Sequence, residues 1–322
     1  MIALLLMPLV LPWALAPLAR RTVEKVRPEI ALWAITCATA ALAVGVIASL
    51  GALLLPLALA LPPVGALAEL VQPLAVGPEL LVLGISVLAT GALALAAHHI
   101  LRKAAREVTR LRAAQARVAH LPDAGGLCVL DDPRPDAYAL PGGPRRPGRI
   151  VVTSGMLRAL GPVEREALLA HERAHLAAKH HLFLSAAHLA GWCHPALAAV
   201  AAQVSFAAER AADEAAARRC GDRTLAARAV GRAALAASRT PGSAESAGSA
   251  GSAGAPTVAP GAAGGPVPAR VRALLAPSPV RRVVPALLAM ALLCTAAGTS
   301  SLGGAARLHH AIETAQGEHP SD

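Results

Sequence analysis

The sequence predicts a mostly α integral-membrane protein, with about four transmembrane helices joined to a cytoplasmic α+β domain. Three observations carry this expectation. The 322 residues are 55% hydrophobic and only 16% charged, far from the balance of an ordinary soluble domain. The apolar residues gather in long stretches, three before residue 102 and one after residue 282. Between them the chain turns polar, with short alternating runs broken by proline and glycine, then a helical pattern.

Met1 to Leu18 is apolar with no positive charge before it, and Arg20, Arg21, Lys25 and Arg27 follow. A cleaved signal peptide has the opposite order, so this reads as a first span with its N-terminus outside. Ile30 to Leu61 is long enough for a second span, Leu80 to about Leu101 for a third, and Val283 to about Leu302 for a last one. The loop Pro62 to Pro78 holds no Lys or Arg, whereas residues 102–181 hold 14 against eight Asp/Glu, and residues 209–282 hold 11 against five. The positive-inside rule then puts residues 102–282 in the cytoplasm and both termini outside a multi-pass cell-membrane protein.

The expected organisation is three transmembrane helices in 1–101, a cytoplasmic domain in 102–236, a flexible linker rich in Ser, Ala, Gly and Pro in 237–268, and a C-terminal transmembrane helix with a short outer tail in 269–322. The net charge of +10 is on this reading a topology signal and a contact for membrane lipid headgroups. Direct nucleic-acid binding is not expected, because no aromatic platform or motif accompanies the charge. The five cysteines have no C-x-x-C spacing, so neither a disulfide framework nor a thiolate zinc site is expected.

Within the cytoplasmic part, Arg102 to Ala119 reads as a charged helix leaving the membrane. Leu127 to Leu130, Asp136 to Leu140 and Arg149 to Thr153 read as short strands, separated by Pro133, Pro135 and Pro141-Gly142-Gly143. A helix follows from Gly161 towards His181. Pro162 suits its first position, and Glu164 and Glu166 complement its positive N-terminal end. Lys179, His180 and His181 crowd the far end, where cations are favourable.

Inside that helix lies His171-Glu172-Arg173-Ala174-His175. Residues four apart share a helix face, so both imidazoles can point at one ion, while Glu172 can reach a water on that ion without ligating it. A catalytic zinc site needs a third protein ligand. Glu209 follows 34 residues after His175, with Asp213 one turn further on. Glu209 is read as the third metal ligand and Asp213 as the carboxylate that orients a ligating imidazole. The intervening stretch Leu182 to Phe206 is apolar. A single crossing there would put Glu209 on the opposite side of the membrane from the histidines, so it must return as a hairpin or buried helix pair, with Pro195 at the turn. His188 and His194 are read as packing or interfacial residues rather than extra ligands, because the ligand set is already complete.

HERAH followed by ERAAD, preceded by DAYALPGG and RIVVTSGML, resembles the membrane zinc metallopeptidases (gluzincins) of the HtpX and CAAX-prenyl-protease type and their BlaR/MecR-type relatives. The resemblance covers roughly residues 120–220, and Gly191-Trp192-Cys193-His194-Pro195 is similar to a W-x-x-P region on the BlaR side. It implies a zincin-like fold, one Zn2+ per chain, and a metalloendopeptidase with Glu172 as catalytic base acting on a protein or peptide. It also implies a substrate lying extended against an edge strand, for which Asp136, Ala137, Tyr138, Ala139 and Leu140 are the candidates. Where the family has Asn, this chain has Asp136.

The resemblance allows regulatory cleavage, for instance of a transcriptional repressor as in the BlaR/MecR type, or HtpX-like quality control of membrane proteins. The layout of spans favours the first. BlaR-type receptors carry a large external penicillin-binding domain, and only a short tail follows the last apolar stretch here, so direct antibiotic sensing is not expected. A non-catalytic membrane signalling scaffold is the remaining reading, and it would expect a damaged motif.

Overall fold

A computed structural model describes residues 2–59, 79–143, 147–239, 266–276, 285, 287–300 and 303. The expected outer loop at 62–78, most of the 237–268 linker and the tail after 303 lie outside the described residues.

The chain begins with α1 (Ile2–Val10) and α2 (Pro12–Lys25). The two meet at Leu11, whose backbone stays helical and whose N–H donates to Met7 O at 3.0 Å, while Pro8, Pro12 and Pro17 withhold donors around the junction. Helix α3 (Pro28–Leu59) and helix α4 (Glu79–Val118) follow. Their segments Pro28–Leu54 and Leu83–Val118 are long and apolar enough to cross a membrane, and no other helix among the described residues is. Helix α4 continues without interruption into the charged stretch beyond residue 102.

Three strands come next: β1 (Leu127–Leu130), β2 (Ala137–Leu140) and β3 (Arg149–Thr153). They form one sheet in the order β1-β3-β2, with β1 parallel and β2 antiparallel to β3. The two-residue period of a strand explains its packing. Ala137, Ile150 and Val152 face one side, with Met156 and Leu168; Tyr138, Leu140 and Val151 face the other, against Ala114 and Val118 at the end of α4. Thr153 fixes the start of β2, since its Oγ1 donates to Arg134 O at 2.7 Å and accepts the Asp136 N–H at 2.9 Å. Directly after it begins α5 (Ser154–Ala159), where Gly155 is required by close approach. A Cβ there would lie 2.1 Å from Pro133 O.

Helix α6 (Pro162–Ala177) starts as expected, with Pro162 at its first turn and Glu164 Oε2 accepting the Gly161 N–H at 2.9 Å. It stops short of Lys179, however. Lys179 adopts left-handed backbone (φ 51°), the one non-glycine residue to do so among the described residues. The chain reverses there into α7 (His180–Cys193), turns again at His194, and runs back as α8 (Pro195–Cys220). His194 caps α8 by accepting the Ala196 N–H at 3.3 Å. The apolar excursion is thus a helical hairpin, and its two arms meet closely where a Cβ on Gly191 would lie 2.9 Å from Ala198 Cα. Its inner face, including Phe183, Leu184, Leu197, Val200 and Val204, packs with Leu15, Ile35 and Leu42 of α2 and α3. Helix α8 is also tied to that pair by polar contacts. Arg210 Nη1 donates to Val23 O, and Arg218 Nη1 lies 3.2 Å from Glu29 Oε1.

Gly221 in left-handed backbone ends α8, and Asp222 caps α9 (Arg223–Ser238) by accepting the N–H groups of Thr224 and Leu225 at 2.7 and 3.0 Å. Helix α10 (Val267–Leu275) packs Leu274 and Val271 against α8 and α9. The expected boundary at 268/269 falls inside this helix, which packs with α8 and α9. An apolar helix, α11 (Leu287–Ser300), lies within the expected last span and packs Met290 and Ala297 into the α2–α3–α7–α8 core.

Candidate metal centre

Helix α6 carries His171 and His175 one turn apart, and α8 crosses it at Glu209. His171 Nε2 and His175 Nε2 are 3.1 Å apart. Glu209 Oε2 is 3.5 Å from the first and Glu209 Oε1 is 3.6 Å from the second. All three side chains are buried. Ligand atoms bound at 2.0–2.1 Å to a tetrahedral ion lie about 3.3 Å apart, so this triangle has the edges such an ion requires.

The far side of each ring decides its tautomer. His171 Nδ1 lies 3.0 Å from Asp213 Oδ1, a short but bent contact, and His175 Nδ1 lies 2.8 Å from His180 Nδ1. Protons on the two Nδ1 atoms satisfy both contacts and leave both Nε2 atoms as bare lone pairs, facing each other beside a carboxylate. Such a cluster is mutually repulsive unless a cation is shared among the three groups, and two neutral imidazoles with a carboxylate are a zinc donor set.

The surroundings carry the same preference for positive charge. Burial pulls the His171 imidazole down, but the Asp213 and Glu209 carboxylates outweigh it and hold it up to about 10. Burial drives His175 well below its ordinary value, with the positive His171 adding to the effect. His180 is pushed down to about 4, again chiefly by burial. It is therefore not the solvated cation that the end of a charged helix leads one to expect.

Glu172 is fully buried, and neither carboxylate oxygen has a hydrogen-bond partner among the described residues. Burial raises its pKa to about 8; His171 opposes the rise, and the nearby Glu209 and Asp136 carboxylates add to it. A carboxylate left without partners beside a metal-type donor cluster has the protonation range of a general base working near neutrality.

Arg270 on α10 went unnoticed in the sequence. It is completely buried, with Nε 2.8 Å from Asp213 Oδ2, Nη2 2.6 Å from Asp213 Oδ1 and Nη1 2.8 Å from Glu209 Oε2. Burial favours loss of its charge, but the two carboxylates prevail and raise its pKa. Asp213 lies low in turn: burial works against its ionisation, and Arg270 more than compensates. A charged residue followed four positions on by Leu274 was the available signal for a helix with an inward face.

Of the remaining sequence-derived candidates, Ala137, Tyr138, Ala139 and Leu140 form edge strand β2, and all four are buried. Asp136 stands just before β2, near enough to Glu172 to act on its charge. His188 stacks on Trp192 with ring centroids 6.4 Å apart, and His194 caps a helix, so neither joins the cluster.

Residues 102–193 match the model of Peptidase family M48. No curated protein and no solved structure matches the chain. Peptidases of this family are zinc-dependent, and the matched segment includes the helix bearing His171, Glu172 and His175. Glu209, Asp213 and Arg270 lie beyond it, and the fold brings them back to that helix. The match over residues 102–193 and the His171–His175–Glu209 cluster together indicate a metallopeptidase similar in that segment to Peptidase family M48.

Proposed function

We propose that the chain is an integral-membrane zinc metalloendopeptidase in which His171, His175 and Glu209 hold one Zn2+ and Glu172 is the general base. The triangle of two lone-pair Nε2 atoms and a carboxylate, with edges of 3.1, 3.5 and 3.6 Å, carries this reading. Bound zinc supplies a Lewis acid for the scissile carbonyl and for the attacking water. Glu172, buried with neither carboxylate oxygen partnered among the described residues, would take the proton of that water and deliver it to the leaving amine. Asp213 fixes the ring of His171 from behind, and Arg270 keeps Asp213 ionised. Edge strand β2, with Asp136 just before it, is the candidate rail for an extended peptide, since it has a strand neighbour on one side alone within the three-stranded sheet.

Purified full-length protein should contain about one zinc per chain. Glu172→Gln should retain the zinc and lose hydrolysis of casein or of the protein itself. Metal-free wild type that is nevertheless folded would remove the metal assignment. Undiminished cleavage by Glu172→Gln would remove the base. Loss of cleavage with zinc retained also excludes a purely scaffolding role for the wild type.

For the biological role we propose regulatory cleavage of a cytoplasmic or membrane-associated protein, on the strength of apolar segments both before and after the peptidase domain. Comparing cellular proteins with and without Glu172→Gln tests it. A single protein, such as a repressor, that stays intact in the variant supports regulation, whereas general accumulation of damaged membrane proteins supports quality control instead.

A further inference from the structure

Resting on the metal-centre reading above, we propose that His180 is a positioning residue for that centre, fixing the tautomer and direction of His175. Its Nδ1 stands 2.8 Å from His175 Nδ1, and the two rings meet edge to face with centroids 4.7 Å apart. For His175 to offer its Nε2 lone pair towards His171 and Glu209, its proton must sit on Nδ1 and needs an acceptor there. His180 Nδ1 is that acceptor, which places the proton of His180 on Nε2. Asp213 does the corresponding work for His171. Each metal-facing imidazole thus has its own partner, one a carboxylate and the other a neutral ring.

The backbone is arranged for this contact. Helix α6 ends at Ala177, and a continued helix would carry residue 180 away from the face of residue 175. Left-handed Lys179 instead turns the chain, so that His180 begins α7 with its side chain back against α6. The ring is only 3% exposed, walled by Phe183 at 6.4 Å between centroids, and Phe183 packs in turn on Trp33 at 4.7 Å. A residue kept only for packing would gain nothing from presenting a ring nitrogen at hydrogen-bond distance to a second imidazole.

Zinc affinity of the full-length protein in detergent, measured by competition with a chelator, tests the role without reference to activity. His180→Leu keeps the bulk and removes the acceptor, and should weaken zinc binding by about 10- to 100-fold. His180→Asn puts its Oδ1 where Nδ1 stood and should restore most of the loss. Leu binding as tightly as wild type, or Asn binding no better than Leu, would overturn the proposal. If the Leu variant does not fold, Asn against Gln decides, because the Gln oxygen sits one methylene further out. Asn should then bind zinc more tightly, and equal affinities overturn the role. Wild type that binds no zinc overturns the metal-centre reading itself, whereas a zinc-binding wild type with an unaffected Leu variant overturns only the role of His180.

Discussion

Arg270→Met removes a guanidinium that contacts both Asp213 and Glu209, and leaves two carboxylates, 2% and 1% exposed, without it. Methionine has nearly the length of the arginine stem, so the loss is mainly of charge and hydrogen bonds rather than volume. Breaking a buried ion pair by removing one partner costs about 3–5 kcal/mol, because the remaining charge stays desolvated. That is a factor of roughly 100 to several thousand in the folded-to-unfolded ratio. In a unit of this size it lowers the thermal midpoint by about 10 °C. The assay is thermal unfolding of the detergent-solubilised full chain in chelator and in zinc. In chelator the full drop should appear. In zinc it should be smaller, because a bound dication at Glu209 takes over part of the lost neutralisation, so the midpoint gain on adding zinc should exceed that of wild type. Arg270→Met combined with Asp213→Asn should be less unstable than the two single losses added together. An unchanged midpoint in chelator, or a zinc-induced gain smaller than that of wild type, would show that Arg270 does not neutralise this cluster.

The Glu164 carboxyl gives a pH signature. Burial raises its pKa, but the Gly161 N–H and Arg232, which share Oε2, bring it below the ordinary 4.5. A depressed carboxylate stabilises the fold above its ordinary pKa, and that contribution fades as pH falls through the folded value. The midpoint gap between wild type and Glu164→Gln should therefore stay constant at neutral pH and close on acidification below about pH 4.5; a gap that persists to about pH 3 contradicts the charge role. For topology, we propose that residues 102–282 face the cytoplasm and both termini the exterior. A reporter inserted in the Ser/Ala/Gly/Pro linker should read cytoplasm and one at the C-terminal end exterior, and the reverse pattern overturns the assignment.

The legible parts of this fold are those whose signals are local. The three strands fall within a residue of their expected limits, because apolar alternation at Leu127–Leu130, Ala137–Leu140 and Arg149–Thr153 is bounded by prolines and glycines. His171, Glu172 and His175 share one helical turn. Glu209 and Asp213 share another, and completion of a ligand set links the two. The residues that escaped depend on distant chain returning. Arg270 is 95 residues from His175 and sits among other arginines that serve equally well as topology signals. His180 looked like a charge complementing a helix end, and only the left-handed turn at Lys179 makes it a buried neutral ring.

The junction of α8 with α2 and α3 has a spatial consequence. Glu209 and Arg210 are neighbours on one helix. The first faces the histidines, and the second is anchored on Val23 O, with Arg218 and Glu29 bracing the same junction two turns on. The cutting machinery therefore cannot slide or tilt relative to α2 without breaking a buried hydrogen bond, or relative to the long apolar helix α3 without disrupting the apolar seam between them. On our proposal that the protein spans the membrane through α3, the peptide bond to be cut has to arrive at one set height above the lipid. The protein is then a ruler as well as a blade: how far a target's vulnerable segment lies from its own membrane anchor becomes a selection criterion alongside its sequence.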